Sequence, residues 1–208
     1  MVTRWLAAFE LVSIWINTPD DIMEAGLYLH IPFCTSKCHY CDFYSVTALS
    51  RKGEIVEAMV KELQTETGFL GPSKPALRTI YFGGGTPSLL QAEDFTRLFN
   101  AIKASYDLSS LEEVTLEANP DDLSPEYLAM LRQFPFNRLS IGVQTLDDAG
   151  LKRINRRHTA AQAKQAVLDS RAAGFTNISI DLMYGLPGQT AEFFRQTVDE
   201  ALALPVTH

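Results

Sequence analysis

Residues 31–44, IPFCTSKCHYCDFY, contain Cys34, Cys38 and Cys41, and the other positions of the 208-residue chain hold no further cysteine. An odd count crowded into eight residues, without a distant partner, does not build a disulfide framework. It reads as a metal-binding loop in a reducing compartment, which points to the cytoplasm. Two metal groups suit such a loop. A tetrahedral zinc needs a fourth ligand, for which His30 or His39 stands nearest, but zinc modules usually pair two ligand hairpins and no second one follows. A [4Fe–4S] cube takes one thiolate per iron, so a C-x3-C-x2-C loop binds three corners and leaves one iron open to a non-protein ligand.

Outward from the loop, β-rich and helical segments alternate. LYLHIPF (27–33) is a buried strand ending at the cysteines. Residues 51–69 carry Ile55, Met59, Val60 and Leu63 at helical spacing, and LRTIYF (77–82) is a strand running into GGGTP. Residues 91–105 form a helix with Phe95, Leu98, Phe99 and Ile102 on one face. Strand EEVTLEA (112–118) precedes a helix over 124–133, opened by Ser124 and Pro125. RLSIGVQ (138–144) is a strand, 147–154 and 160–173 are helices, and NISIDLMYG (177–185) is a strand. A helix over 190–203 follows, and PVTH opens another strand.

Strand then helix, repeated along the chain, predicts an α/β fold, namely a partial TIM-like (β/α) barrel of parallel strands. A full barrel takes about 250 residues, so the chain reads as truncated near the sixth strand. That would leave NISIDLMYG an unpaired apolar edge, with Ile178, Ile180, Leu182 and Met183 lacking a neighbour. Loops after the strands build the active site in such folds, which brings the cysteines, GGGTP, EANP, GVQT and DLMYGLP to one rim.

Acidic residues outnumber basic ones 25 to 18, for a net charge of −7, which argues against a nucleic-acid footprint and for a small-molecule or protein partner. MVTRWLAAFELVSIWI sets Arg4 before an apolar run, but it lacks a small-x-small cleavage motif and is too short to span a bilayer. Met23 directly precedes EAGLYLHIPF. Residues 1–25 therefore read as an N-terminal extension outside the fold, with an amphipathic surface helix as the alternative for 1–22, and residues 26–208 as the core domain.

The motifs GLYLHIPFCTSKCHYCDFYS, YFGGGTPSLL, EANPDDL, SIGVQTL, INRRHT and IDLMYGLPGQT resemble the radical S-adenosylmethionine (SAM) superfamily. They resemble most the branch of oxygen-independent coproporphyrinogen oxidases and HemW-type heme chaperones, from Gly26 to His208. The resemblance implies a [4Fe–4S] cluster on Cys34, Cys38 and Cys41, with the amino and carboxylate groups of SAM on the fourth iron. It places Gly84, Gly85 and Thr86 along the methionine moiety, where missing β-carbons admit close approach; GGGTP alone would be an ordinary turn. Tyr28 and Tyr40 match SAM-contacting positions. Glu117 and Asp181 would accept hydrogen bonds from ribose hydroxyls or a protonated amine, and Gln144 would serve the nucleoside as donor and acceptor. Arg156 would pair with the SAM carboxylate; without the resemblance, KRINRRH is a solvated basic helix face.

Within the branch, the oxidases resemble C-x3-C-x2-C-x-C, and the place of their fourth cysteine holds Phe43 here. CDF resembles the HemW-type proteins instead. That implies a chaperone with heme as cargo, served by a heme-acceptor protein and an electron donor to the cluster. The alternative is an oxygen-independent coproporphyrinogen III dehydrogenase acting through a SAM-derived radical. No heme ligand is assigned to His30, His39, His158 or His208.

Overall fold

In the computed structural model, which describes residues 12–17, 24–69 and 76–208, the strands pair in chain order into one sheet. They are β1 (Val12–Asn17), β2 (Glu24–Ile31), β3 (Leu77–Gly84), β4 (Glu113–Ala118), β5 (Arg138–Gln144) and β6 (Asn177–Leu182). From β2 to β6 every pairing is parallel. Parallel neighbours need a crossover, and helices supply it: α1 (Lys52–Thr65), α2 (Ala92–Ser105), α3 (Pro125–Leu131), then α4 (Asp148–Arg153) with α5 (Ala160–Ala172). Helix α6 (Ala191–Leu202) follows β6. The result is an unclosed α/β sheet of the expected kind.

The first strand was not expected. Val12–Asn17 pairs antiparallel with β2, Val12 opposite Leu29 and Asn17 opposite Glu24, so this part of the stretch read as an extension or a surface helix adds a strand to the sheet. VSIWIN is β-branched and aromatic, a composition that suits a pleated strand better than a helix. Residues 1–11 and 18–23, and the reading that covered them, lie outside the described residues.

Period-two alternation sorts the strand residues onto two faces. Leu27, Leu29, Ile31, Ile80, Phe82, Val114, Leu116, Leu139, Ile141 and Ile178 are buried in one core with Met59 and Leu63 of α1, Phe95 and Leu98 of α2 and Val167 of α5. Their alternates, Tyr28, His30, Tyr81, Glu117, Ser140 and Asp181, fall on the opposite, polar face. The same alternation corrects the expectation of a bare edge at β6. Ile178 is fully buried, and Ile180 and Leu182 pack against the core. The Thr207 N–H donates to Ile178 O at 2.8 Å and the Ile180 N–H to His208 O at 3.0 Å, so PVTH does begin a parallel pairing.

Phe82 sits among Phe95, Phe99 and Phe136, with ring centroids 5.8, 5.4 and 5.3 Å away. This cluster ties β3 to α2 and to the turn before β5. Truncation of a fully buried phenylalanine leaves a cavity its neighbours fill only in part, so Phe82→Ala is expected to cost about 3–5 kcal/mol. A lowered urea midpoint at unchanged slope would register it.

Candidate functional site

All three cysteines are free thiols, and they line a cavity of about 270 Å³ at the C-terminal ends of the parallel strands. Gly84, Gly85, Thr86, Glu117, Gln144, Arg156, Asp181 and Tyr40 share its wall. Of the residues matched to the cluster and to SAM, Tyr28 alone does not line it. Its ring stacks on Tyr81, centroids 5.9 Å apart, and its hydroxyl meets His30 Nδ1 at 3.2 Å. Burial pushes the Tyr28 and Tyr40 hydroxyls up to about 12.

The ends of β2 and β3 set the first thiol. The Gly85 N–H donates to Ile31 O at 2.8 Å, and a β-carbon there would stand 2.7 Å from Phe33 O. Gly84 adopts φ +106°, and a β-carbon on it would come within 2.6 Å of the His30 ring. The glycines thus pack against the base of the cysteine loop, a tighter role than that of a turn. Buried Cys34 donates its backbone N–H to Val46 O at 3.1 Å, while Thr86 Oγ1 donates to Cys34 Sγ at 3.5 Å.

Around the cavity the charged groups are unevenly solvated. Glu117 accepts from the Tyr81 hydroxyl at 2.7 Å and the Gly84 N–H at 3.1 Å, yet burial still raises its carboxyl above the usual range. Asp181 is raised by the same cause, eased by the Ser140 hydroxyl at 3.4 Å. Gln144 is buried at φ 68°. Arg156 donates to Cys38 Sγ at 3.7 Å and to Gly142 O, while its buried Nε has no partner among the described residues.

Sequence reading missed several wall residues, among them Asn119, Asn155 and Arg157. Asn119 Nδ2 donates to Thr86 Oγ1 at 3.4 Å. Arg157 bridges Asp121 at 2.9 Å and Asp122 at 3.0 Å. All three lie inside the quoted EANPDDL and INRRHT motifs, and that adjacency was the available signal.

The donor set fits an iron–sulfur cube. Among the described residues no three His, Cys, Asp or Glu side chains converge on a point suited to one metal ion. A cube makes no such demand, since each thiolate binds a different iron. The guanidinium of Arg156, held beside Cys38 with its Nε unpartnered among the described residues, suits a carboxylate arriving at the same mouth.

The Radical SAM superfamily matches residues 28–201. The chain belongs to the radical SAM superfamily. It is 46% identical over 181 residues to the heme chaperone HemW of Lactococcus lactis subsp. lactis (strain IL1403), covering 87% of this chain and 46% of that one. HemW of Bacillus subtilis (strain 168) is 42% identical over 183 residues, at 87% and 48% coverage. The chain thus spans about half the length of the curated relatives it matches. Among solved structures, coproporphyrinogen III oxidase (HemN) from Escherichia coli, described as a radical SAM enzyme, aligns with a TM-score of 0.75. Identity there is 29%, over 85% of this chain and 41% of that one. No helix of the described residues is long and apolar enough to cross a membrane.

Close to Arg156 in this radical SAM core, His158 is buried, with Nε2 3.1 Å from Val143 O and Nδ1 unpartnered among the described residues. Burial, helped by Arg156, pushes its pKa down to about 4. Because the unfolded chain takes up the proton first, this contribution to stability is present above the ordinary histidine pKa and lost as pH falls through about 4. Between about pH 7 and about pH 4 the metal-free chain should lose roughly 3 kcal/mol from this group. His158→Gln, which can still donate to Val143 O, should lose correspondingly less in urea unfolding at the two pH values.

Proposed function

We propose that the chain is the cluster- and SAM-binding core of a heme chaperone, which binds heme and passes it to an acceptor protein. The observation that carries this reading is Phe43, which lines the cavity mouth and is 65% exposed where the related oxidases resemble a fourth cysteine. Likeness to HemW proteins at up to 46% identity supports it.

In this reading Cys34, Cys38 and Cys41 hold a [4Fe–4S] cluster, and residues 26–208 form the domain that carries it. A bound cluster with SAM supplies one-electron chemistry at the open iron. Arg156 pairs with the SAM carboxylate, Gln144 faces the nucleoside, and Glu117 and Asp181 take its hydroxyls or amine. Gly84, Gly85, Thr86 and Tyr40 shape the surrounding wall, and Tyr28 stacks on Tyr81 on the same face of the sheet. His30, His39 and His158 each hold a hydrogen bond within the fold, so none is assigned to heme. The partners are heme, an acceptor protein and an electron donor, and the free thiols suit the reducing cytoplasm.

A second reading, an oxygen-independent coproporphyrinogen III dehydrogenase, is favoured by the structural likeness to HemN. One set of measurements separates the two. Anaerobic reconstitution should load about four irons and four sulfides per chain, and Cys→Ala at position 34, 38 or 41 should abolish loading. Stoichiometric zinc without iron–sulfur absorption would overturn the cluster. With SAM and a reductant, the reconstituted protein should bind heme and leave coproporphyrinogen III unconverted. Robust turnover to protoporphyrinogen IX would replace the chaperone by the dehydrogenase.

A further inference from the structure

The three thiols are not held alike. Cys34 is buried and follows directly from β2, locked by the backbone bonds to Val46 and by Gly85 on Ile31. Cys38 and Cys41 lie in a stretch with neither helix nor strand, and the local bond they share runs from the Cys41 N–H to Cys38 O at 3.2 Å. What fixes this half of the loop comes from far along the chain.

Three hydrogen bonds join residues 37–39 to residues 153–155. The His39 N–H donates to Ile154 O at 3.1 Å, and His39 Nδ1 lies 2.9 Å from Arg153 O. Asn155 Nδ2 donates to Lys37 O at 2.8 Å. The carbonyls of Arg153 and Ile154 belong to the C-terminal end of α4, where a helix leaves its acceptors without intrahelical donors. Asn155 then adopts φ 60°, the left-handed region that asparagine and glycine tolerate best. This turn ends the helix and aims the asparagine amide back at the loop. The next residue, Arg156, reaches Cys38 Sγ. Four consecutive residues therefore each contact the loop.

We infer that Asn155 is a positioning residue: with His39 it clamps residues 37–39 to the end of α4 and so brings Cys38 and Cys41 to the cavity alongside Cys34. The cluster consequence rests on the reading of the three thiols as ligands; the clamp itself does not.

The test uses two variants and a measurement that needs no cluster. Asn155→Gly keeps the left-handed backbone and removes the donor, while Asn155→Asp keeps the size and sets an acceptor against Lys37 O. In the metal-free chain, alkylation followed by mass spectrometry should show Cys38 and Cys41 reacting several-fold faster in both variants. Cys34 and the thermal midpoint should be unchanged. After anaerobic reconstitution, both variants should lose iron to a chelator several-fold faster than the parent. Parental alkylation rates at Cys38 and Cys41 in both variants would overturn the clamp. All three cysteines accelerating together with a lowered midpoint would make Asn155 a folding residue and overturn it equally. A parent chain that takes up no cluster would refute the proposed function while the alkylation result still decides the clamp.

Discussion

Between the ends of β2 and β3 there is no room for a side chain at Gly85, whose backbone N–H bonds to Ile31 and whose missing β-carbon would collide with Phe33 O. That contact sets the direction in which the chain leaves β2, and therefore where Cys34 stands. Everything beyond it in the loop starts from this fixed point. The adjoining Gly84 N–H bonds to Glu117, so the same turn also ties the thiol end of β2 to the carboxylate end of β4. One close backbone approach thus registers two chemically different walls of the cavity.

The walls differ in charge in a way that favours a cationic or hydrogen-donating guest. Desolvation raises both carboxyls, Glu117 deeper in the wall and Asp181 at a more exposed position on β6. A ligand that brings hydroxyls or an ammonium group removes part of that penalty, and the carboxylates ionise more readily with it than without. Arg156 supplies the opposite sign next to Cys38, where thiolates or a carboxylate offset a guanidinium that lacks a partner at Nε. The cavity is polarised across its width, acids on β4 and β6 and a base beside the loop.

Much of this was legible in the sequence, and the parts that were not share a cause. The cysteine spacing and the strand–helix alternation are local patterns, and they located the parallel strands and the residues at their ends. Val12–Asn17 has no local partner pattern that separates an apolar leader from an edge strand; its pairing to β2 is a tertiary fact. Tyr28 was placed on the right face of β2, where its ring stacks on Tyr81 over the space that Gly83 leaves open. The apolar residues of β6 were read as a bare edge, yet Ile178 is buried in the core and Thr207 and His208 bond to β6 from the other side. Asn155 was invisible for the same reason, since its bond crosses 118 positions.

The similarity to both HemW chaperones and the HemN oxidase covers the sheet and its helices. The sheet, the helix layer and the glycine contact at the end of β3 hold the three thiols beside the cavity. The mouth itself is built from loop residues whose side chains the core does not constrain. Phe43 is largely exposed there, so an aromatic ring rather than a thiol at that point costs the fold little burial and changes the chemistry offered to a guest. A cysteine would add a nucleophile and a soft metal ligand; phenylalanine offers a flat apolar face. The chaperone and oxidase readings therefore part at the few side chains that the scaffold leaves free, with Phe43 at the mouth first among them.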